Sequence, residues 1–132
     1  MTRLVIDASA VVEYLLRTPR GEQVEATLRD PAADLHTPAL CDIEVAAALR
    51  RAMLAARLGP QRAAEALDDY FDLPLTRHGH QLLLERVLGL RNNFSAYDAT
   101  YAALAERLQA ALVTADERLA RAVTTHLDVA AL

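Results

Sequence analysis

Residues 3–9 read Arg3-Leu4-Val5-Ile6-Asp7-Ala8-Ser9: three consecutive aliphatic side chains, then an acid, then small residues. A short apolar run without alternation suits a strand buried on both faces, as in a parallel sheet. Beyond it the period changes. Val11, Val12, Leu15 and Leu16 recur at helical spacing, and Asp7 or Ser9 is placed to cap the helix they define. A strand that delivers an acid to the mouth of a helix is thus the first unit of the chain.

Further along, helices are expected over Gly21–Leu28, Ala39–Leu58, Gln61–Phe71, His80–Leu88, Ser95–Leu108 and Glu117–Val123. Short strands are expected at Leu35–Thr37, Leu73–Thr76, Ala111–Thr114 and Leu127–Val129. Pro38 closes the weak second strand, Gly59-Pro60 ends the longest helix, and Pro74 puts the third strand at a start or an edge. No internal repeat or low-complexity linker interrupts this order. Strands alternating with longer helices define an α/β chain built on a parallel sheet, and 132 residues suit one domain spanning 1–132.

Composition narrows the function. Fourteen basic residues against eighteen acids give a net charge of −4, and every basic residue is arginine. A general nucleic-acid coat would be basic, because its affinity comes from counterion release by many cations. An acidic chain that acts on nucleic acid needs a local arginine cluster or bound metal. The lack of lysine excludes lysine nucleophiles and P-loop chemistry. One cysteine, Cys41, excludes an internal disulfide framework and a thiolate-rich zinc site. The longest uncharged stretch, Leu108–Ala115, is eight residues, far short of a membrane span. Asp7 interrupts the N-terminal apolar run before a signal-type core forms, so a cytoplasmic location is expected.

Ligands of open parallel sheets bind outside the C-terminal ends of the strands. Asp7 sits at such an end, and Asp116 lies just beyond the Ala111–Thr114 strand. Asp98 falls in the first turn of a helix, and Glu44 lies within the helix after Pro38. Four carboxylates on one rim would repel one another unless a cation held them, and oxygen-only ligands suit Mg²⁺ or Mn²⁺. Capping competes with this reading. Ser95-x-x-Asp98 and Thr114-x-x-Glu117 have capping-box spacing, and Asp116 complements a helix dipole. Glu44 and Asp42 both have apolar neighbours one turn away, so periodicity does not decide which points inward.

These segments resemble the PIN-domain family. Leu4-Val5-Ile6-Asp7-Ala8-Ser9-Ala10 looks like its opening strand, and Asp42-Ile43-Glu44-Val45 resembles its second acidic motif. The segment Ser95-Ala96-Tyr97-Asp98-Ala99-Thr100-Tyr101-Ala102-Ala103-Leu104-Ala105 is similar to the third, and Leu112-Val113-Thr114-Ala115-Asp116-Glu117-Arg118-Leu119 to the fourth. The likeness covers nearly the whole chain in order, and its size matches the VapC toxins of type II toxin–antitoxin modules.

The resemblance implies a three-layer α/β/α sandwich with a central, mostly parallel sheet. It also implies an RNA-cleaving activity in which Asp7, Glu44, Asp98 and Asp116 bind divalent metal, with Ser9 and Thr114 as supporting hydroxyls. Metal of this kind activates water and stabilises the leaving oxygen in phosphodiester hydrolysis. A homodimer and neutralisation by a VapB-type antitoxin follow from the same likeness. In the motif the inward acid is Glu44. Arg50, Arg51, Arg91 and Arg118 are the arginines expected to meet RNA phosphates. The pair of helices from Val45 to Tyr70 offers surplus aliphatic surface for the antitoxin.

Other features read as structural. His78-Gly79-His80 suits a loop and helix start, Cys41 a small buried residue, and Asp68-Asp69 with Asp72 a solvated helix end. The four tyrosines form no stacking platform. A phospho-acceptor receiver domain would need a lysine, and a haloacid-dehalogenase-type phosphatase an Asp-x-Asp where this chain has Asp7-Ala8-Ser9. The remaining rival is a PIN-like protein that binds RNA or a partner without turnover.

Overall fold

A computed structural model describes residues 1–132. Strand β1 (Thr2–Ile6) leads into α1 (Ala8–Leu15) and α2 (Pro19–Leu28), and β2 (Ala33–Pro38) into α3 (Leu40–Leu54) and α4 (Pro60–Asp72). Strand β3 (Thr76–His78) leads through a 3₁₀ turn (Gln81–Leu83) into α5 (Leu84–Gly89) and α6 (Ala96–Leu108). Strand β4 (Ala111–Val113) is followed by α7 (Glu117–His126). The four strands are all parallel in the order β3-β2-β1-β4.

That order explains the layers. From β1 to β2 to β3 the chain steps one way across the sheet, and right-handed crossovers place α1–α4 on one face. It then returns past β1 to form β4, so α5 and α6 fall on the other face. The packing agrees: α1 contacts α2, α3 and α4, whereas α6 lies on β1, β2 and β4. The direction of winding reverses between β1 and β4. Just outside their C-terminal ends is where a doubly wound sheet forms its crevice.

The centre of the core is β1, with Val5 and Ile6 fully buried. Helix α6 is buried all round from Ala99 to Ala105, and its alanines let the backbone lie close to the sheet. Substituting a longer side chain there would overpack both layers.

Several element boundaries differ from the sequence expectation, each for a local reason. The third strand is Thr76–His78, pairing His36 with Thr76 and Pro38 with His78, rather than Leu73–Thr76. Pro74 has no N–H to give a ladder, and Leu75 N turns back onto Leu73 O at 2.8 Å. Helix α3 stops at Leu54 rather than Leu58 because Ala56 is left-handed (φ 57°), closing a Schellman turn through Arg57 N to Ala52 O and Ala56 N to Met53 O. Helix α2 begins at Pro19, with the Thr18 hydroxyl accepting from Gly21 N at 3.1 Å. The His80–Leu88 segment divides into the 3₁₀ turn and α5. Helix α7 continues to His126, and in place of a strand at Leu127–Val129 a single parallel bridge joins Leu112 to Ala131.

No helix is long and apolar enough to cross a membrane.

Candidate functional site

Asp7 occupies the N-cap position of α1 but caps nothing with its side chain. Its backbone carbonyl accepts from Ala10 N and Val11 N, and its buried carboxylate turns to the β1–β4 crevice. There one oxygen, Oδ2, accepts from Ser9 Oγ at 2.6 Å and from Thr114 Oγ1 at 2.8 Å. Each hydroxyl has one hydrogen, so with both spent on Asp7 the 3.1 Å contact between Ser9 and Thr114 carries none. Their lone pairs are used as well: Ser9 Oγ accepts from Ala115 N at 3.0 Å and Thr114 Oγ1 from Asp116 N at 3.0 Å. The hydroxyls therefore stitch the β4–α7 loop to the end of β1.

Asp116 is the true N-cap of α7, its Oδ1 accepting from Arg118 N at 3.0 Å and Leu119 N at 3.2 Å. Asp98 forms half of the capping box suggested by its spacing. Ser95 Oγ accepts from Asp98 N at 3.1 Å, but the Asp98 carboxylate goes to Arg118 instead, Oδ2 to Nη2 at 3.0 Å. Glu44 projects from α3, and Oε1 accepts from the Tyr101 hydroxyl at 2.6 Å. These four acids line one open cleft together with Ser9, Glu13 and Arg51.

Asp42, the other possible phase of α3, points elsewhere. It accepts from Tyr70 Oη at 2.5 Å and pairs with Arg77 Nε at 2.8 Å, tying α3 to α4 and β3. Glu117 is outside the cleft as well, paired with Arg20 at 2.9 Å.

The electrostatics carry the mark of crowded acids. Burial is the largest influence on Asp7 and pushes its carboxyl above the usual range; the Ser9 and Thr114 hydroxyls pull it down, and the charges of Asp98 and Asp116 push it up. Burial likewise raises Glu44, the Tyr101 hydrogen bond opposes it, and the charges of Asp7 and Asp98 add to it. Asp42 shows the contrast. Burial would raise it, but Tyr70 and Arg77 together hold it below the ordinary value.

The four acids share a cleft without meeting at a point: no three His, Cys, Asp or Glu side chains stand close enough to surround an ion. A protein donor holds one oxygen of each. Asp7 Oδ2, Glu44 Oε1, Asp98 Oδ2 and Asp116 Oδ1 are engaged. The second oxygen of Asp7, Glu44 and Asp98 has no protein donor, and that of Asp116 meets only Arg118 at 3.8 Å. An all-oxygen, anionic donor set with one oxygen of each acid available is the chemistry that a hard divalent cation takes.

Of the expected phosphate-binding arginines, Arg51 lines the cleft and Arg118 bridges Asp98 and Asp116. Arg50 is not among the lining residues, and Arg91 donates to Leu88 O at 3.1 Å. Two residues have no site role in the sequence pattern: one that lines the cleft and one buried behind it. Glu13, four residues and one turn after Ser9 on α1, lines the cleft, and Tyr101 stands three residues after Asp98 on the same face of α6. The i, i+3 spacing to Asp98 was the available signal for Tyr101.

The chain matches the PIN domain over residues 4–124, and it belongs to that family. Among curated relatives, Ribonuclease VapC9 of Mycobacterium tuberculosis is 45% identical over 116 residues, covering 88% of this chain and 87% of the relative. Ribonuclease VapC3 of the same species is 41% identical, covering 91% and 87%, and Ribonuclease VapC12 is 36% identical, covering 89% and 90%. The crystal structure of PAE2754 from Pyrobaculum aerophilum superposes with a TM-score of 0.75 at 21% identity, covering 98% of this chain and 83% of that one, and so shares the fold.

Proposed function

We propose that this protein is a VapC-type endoribonuclease toxin. It hydrolyses RNA phosphodiester bonds with Mg²⁺ or Mn²⁺ held by Asp7, Glu44, Asp98 and Asp116, and a VapB-type antitoxin restrains it. Residues 1–132 act as one PIN domain in the cytoplasm, where RNA is present. The observation that carries the reading is the divided use of each carboxylate: one oxygen is fixed by the protein, the other is left to a cation.

Held by Asp7, Glu44, Asp98 and Asp116, a divalent cation would supply Lewis-acid activation of water and charge neutralisation at the phosphate. The protein's own residues supply position. Ser9 and Thr114 fix the rotamer of Asp7, and the α7 backbone fixes Asp116. Arg51, exposed at the cleft wall, receives a flanking phosphate, and Arg118 is the second cation within reach. Arg50 and Arg91 neither line the cleft nor pair with one of its acids. In a chain of net charge −4, this local placement replaces a general basic surface.

For the antitoxin, support comes from the α3–α4 pair, which exposes Leu54 (71%) and Phe71 (66%) beside Met53 and Leu67. An apolar helix of the antitoxin would cover them. Homodimerisation is supported by further exposed apolar residues, Leu82, Leu84 and Leu88.

The test is cleavage of a mixed-sequence RNA by the purified protein. Fragments with Mg²⁺ or Mn²⁺ that vanish with EDTA are expected. RNA binding without fragments under every metal condition would favour the non-catalytic alternative.

A further inference from the structure

Two hydroxyls lie in the buried stretch of α6: Thr100 satisfies its own within the helix, donating to Ala96 O at 2.7 Å, whereas Tyr101 looks outside it. Its side chain is 1% exposed, within the stretch of helix that is buried on every side. A phenol in such a place must find a partner, and its hydroxyl donates to Glu44 Oε1 at 2.6 Å. The two residues come from opposite faces of the sheet, Tyr101 from α6 and Glu44 from α3. Their bond closes over the C-terminal edge of the strands, where the cleft lies. Asp98, one turn earlier on α6, faces the same cleft.

We propose that Tyr101 is a positioning residue for the metal site, acting through Glu44; the assignment rests on the reading of Glu44 as a metal ligand. Glu44 has three rotatable side-chain bonds and stands among like charges, with Asp7 and Asp98 both repelling it. Left alone, it would swing toward water and away from the other acids. The Tyr101 hydroxyl holds Oε1 at a fixed place, so that Oε2 stays in the cleft as the oxygen a cation takes. Because α6 also carries Asp98, one rigid helix sets the place of one acid directly and of another through the phenol. A carboxylate oriented by a buried donor binds metal with less ordering entropy to lose.

The same bond could instead do no more than satisfy a buried phenol, and the two roles separate by experiment. Tyr101→Phe keeps the ring and removes only the hydroxyl. In calorimetric titration with Mn²⁺ alone, this variant is expected to bind roughly 10–100-fold more weakly than the unaltered protein. The double variant Tyr101→Phe/Glu44→Gln is expected to bind no more weakly than Glu44→Gln, because Tyr101 acts only through Glu44. Unchanged Mn²⁺ affinity in Tyr101→Phe, where Glu44→Gln is impaired, would overturn the assignment alone. Losses that multiply in the double variant would do the same. No Mn²⁺ binding by the unaltered protein would overturn both the assignment and the metal reading beneath it. Should Tyr101→Phe fail to fold, 3-fluorotyrosine labelling gives an independent readout. The Tyr101 fluorine resonance, assigned by substituting Tyr14, Tyr70 and Tyr97 in turn, should shift with added Mg²⁺, and a resonance that stays still would refute the proposal.

Discussion

Replacing Asp7 with asparagine should separate stability from activity. The substitution preserves shape, and the amide oxygen can still accept from Ser9 and Thr114, as Oδ2 does at 2.6 and 2.8 Å. What disappears is a buried charge facing Asp98 and Asp116. A carboxyl whose folded pKa lies above its unfolded value binds more protons folded than unfolded between the two. Stability therefore falls as pH rises through that window and stays reduced above it. Asp7 is such a group, raised chiefly by burial, so at neutral pH its charge works against the fold. Removing it should raise stability by about 0.5–2 kcal/mol, the usual gain when a functional site's strain is relieved, or roughly 2–8 °C in Tm for a chain of this size. The gain should fade as pH falls through that window and be gone below about pH 4, where the carboxyl is protonated in both states. RNA cleavage should drop by more than about 100-fold, since losing even a ligand's supporting partner costs 10–100-fold. Thermal unfolding across pH without metal, beside initial cleavage rates with Mn²⁺, tests both halves. A variant that cleaves normally would refute the catalytic role. One that is less stable at pH 7 would refute the electrostatic argument.

Glu44→Gln should abolish most cleavage and weaken Mn²⁺ binding. Asp42→Asn should retain activity and lose only about 0.5–1 kcal/mol in urea unfolding, its bond to Arg77 being half exposed. Thr114→Val removes a donor to Asp7 and an acceptor for Asp116 N, so cleavage should fall roughly 10–100-fold, with stability lower by about 1–3 kcal/mol. Arg51→Ala should raise KM for RNA and reduce the salt slope of binding by about one, while Arg50→Ala leaves both unchanged. On antitoxin binding, hydrogen exchange should slow within residues 45–70. Unaltered exchange there would exclude the α3–α4 pair as the docking surface.

Much of this architecture was legible because chemistry and fold coincide at strand ends. Asp7 and Asp116 could be placed from the aliphatic runs before them, and Ser95 marked the start of α6 together with Asp98. The two phases of α3 were not separable, because Asp42 and Glu44 both have apolar neighbours a turn away. What divides them is tertiary: Tyr70 and Arg77 draw Asp42 toward α4 and β3, and Tyr101 draws Glu44 to the cleft. Leu73-Pro74-Leu75 has strand composition but curls into a tight turn, which displaced the third strand. Ala56 ends α3 in a left-handed conformation that glycine or asparagine would have announced and alanine does not. Tyr101 was legible only through its i, i+3 spacing to Asp98, since its bond depends on a helix from the opposite face of the sheet.

Asp7, Glu44, Asp98 and Asp116 should together hold a divalent cation at the β1–β4 crevice. Anomalous diffraction from crystals grown with Mn²⁺ tests it most directly. A manganese peak is expected within about 2.0–2.4 Å of oxygens from at least two of these acids, with water and the remaining acids completing the shell, and no such peak in Asp7→Asn crystals. A peak held instead by other side chains, such as His36 and His78, or a cleft without manganese at millimolar Mn²⁺, would contradict it.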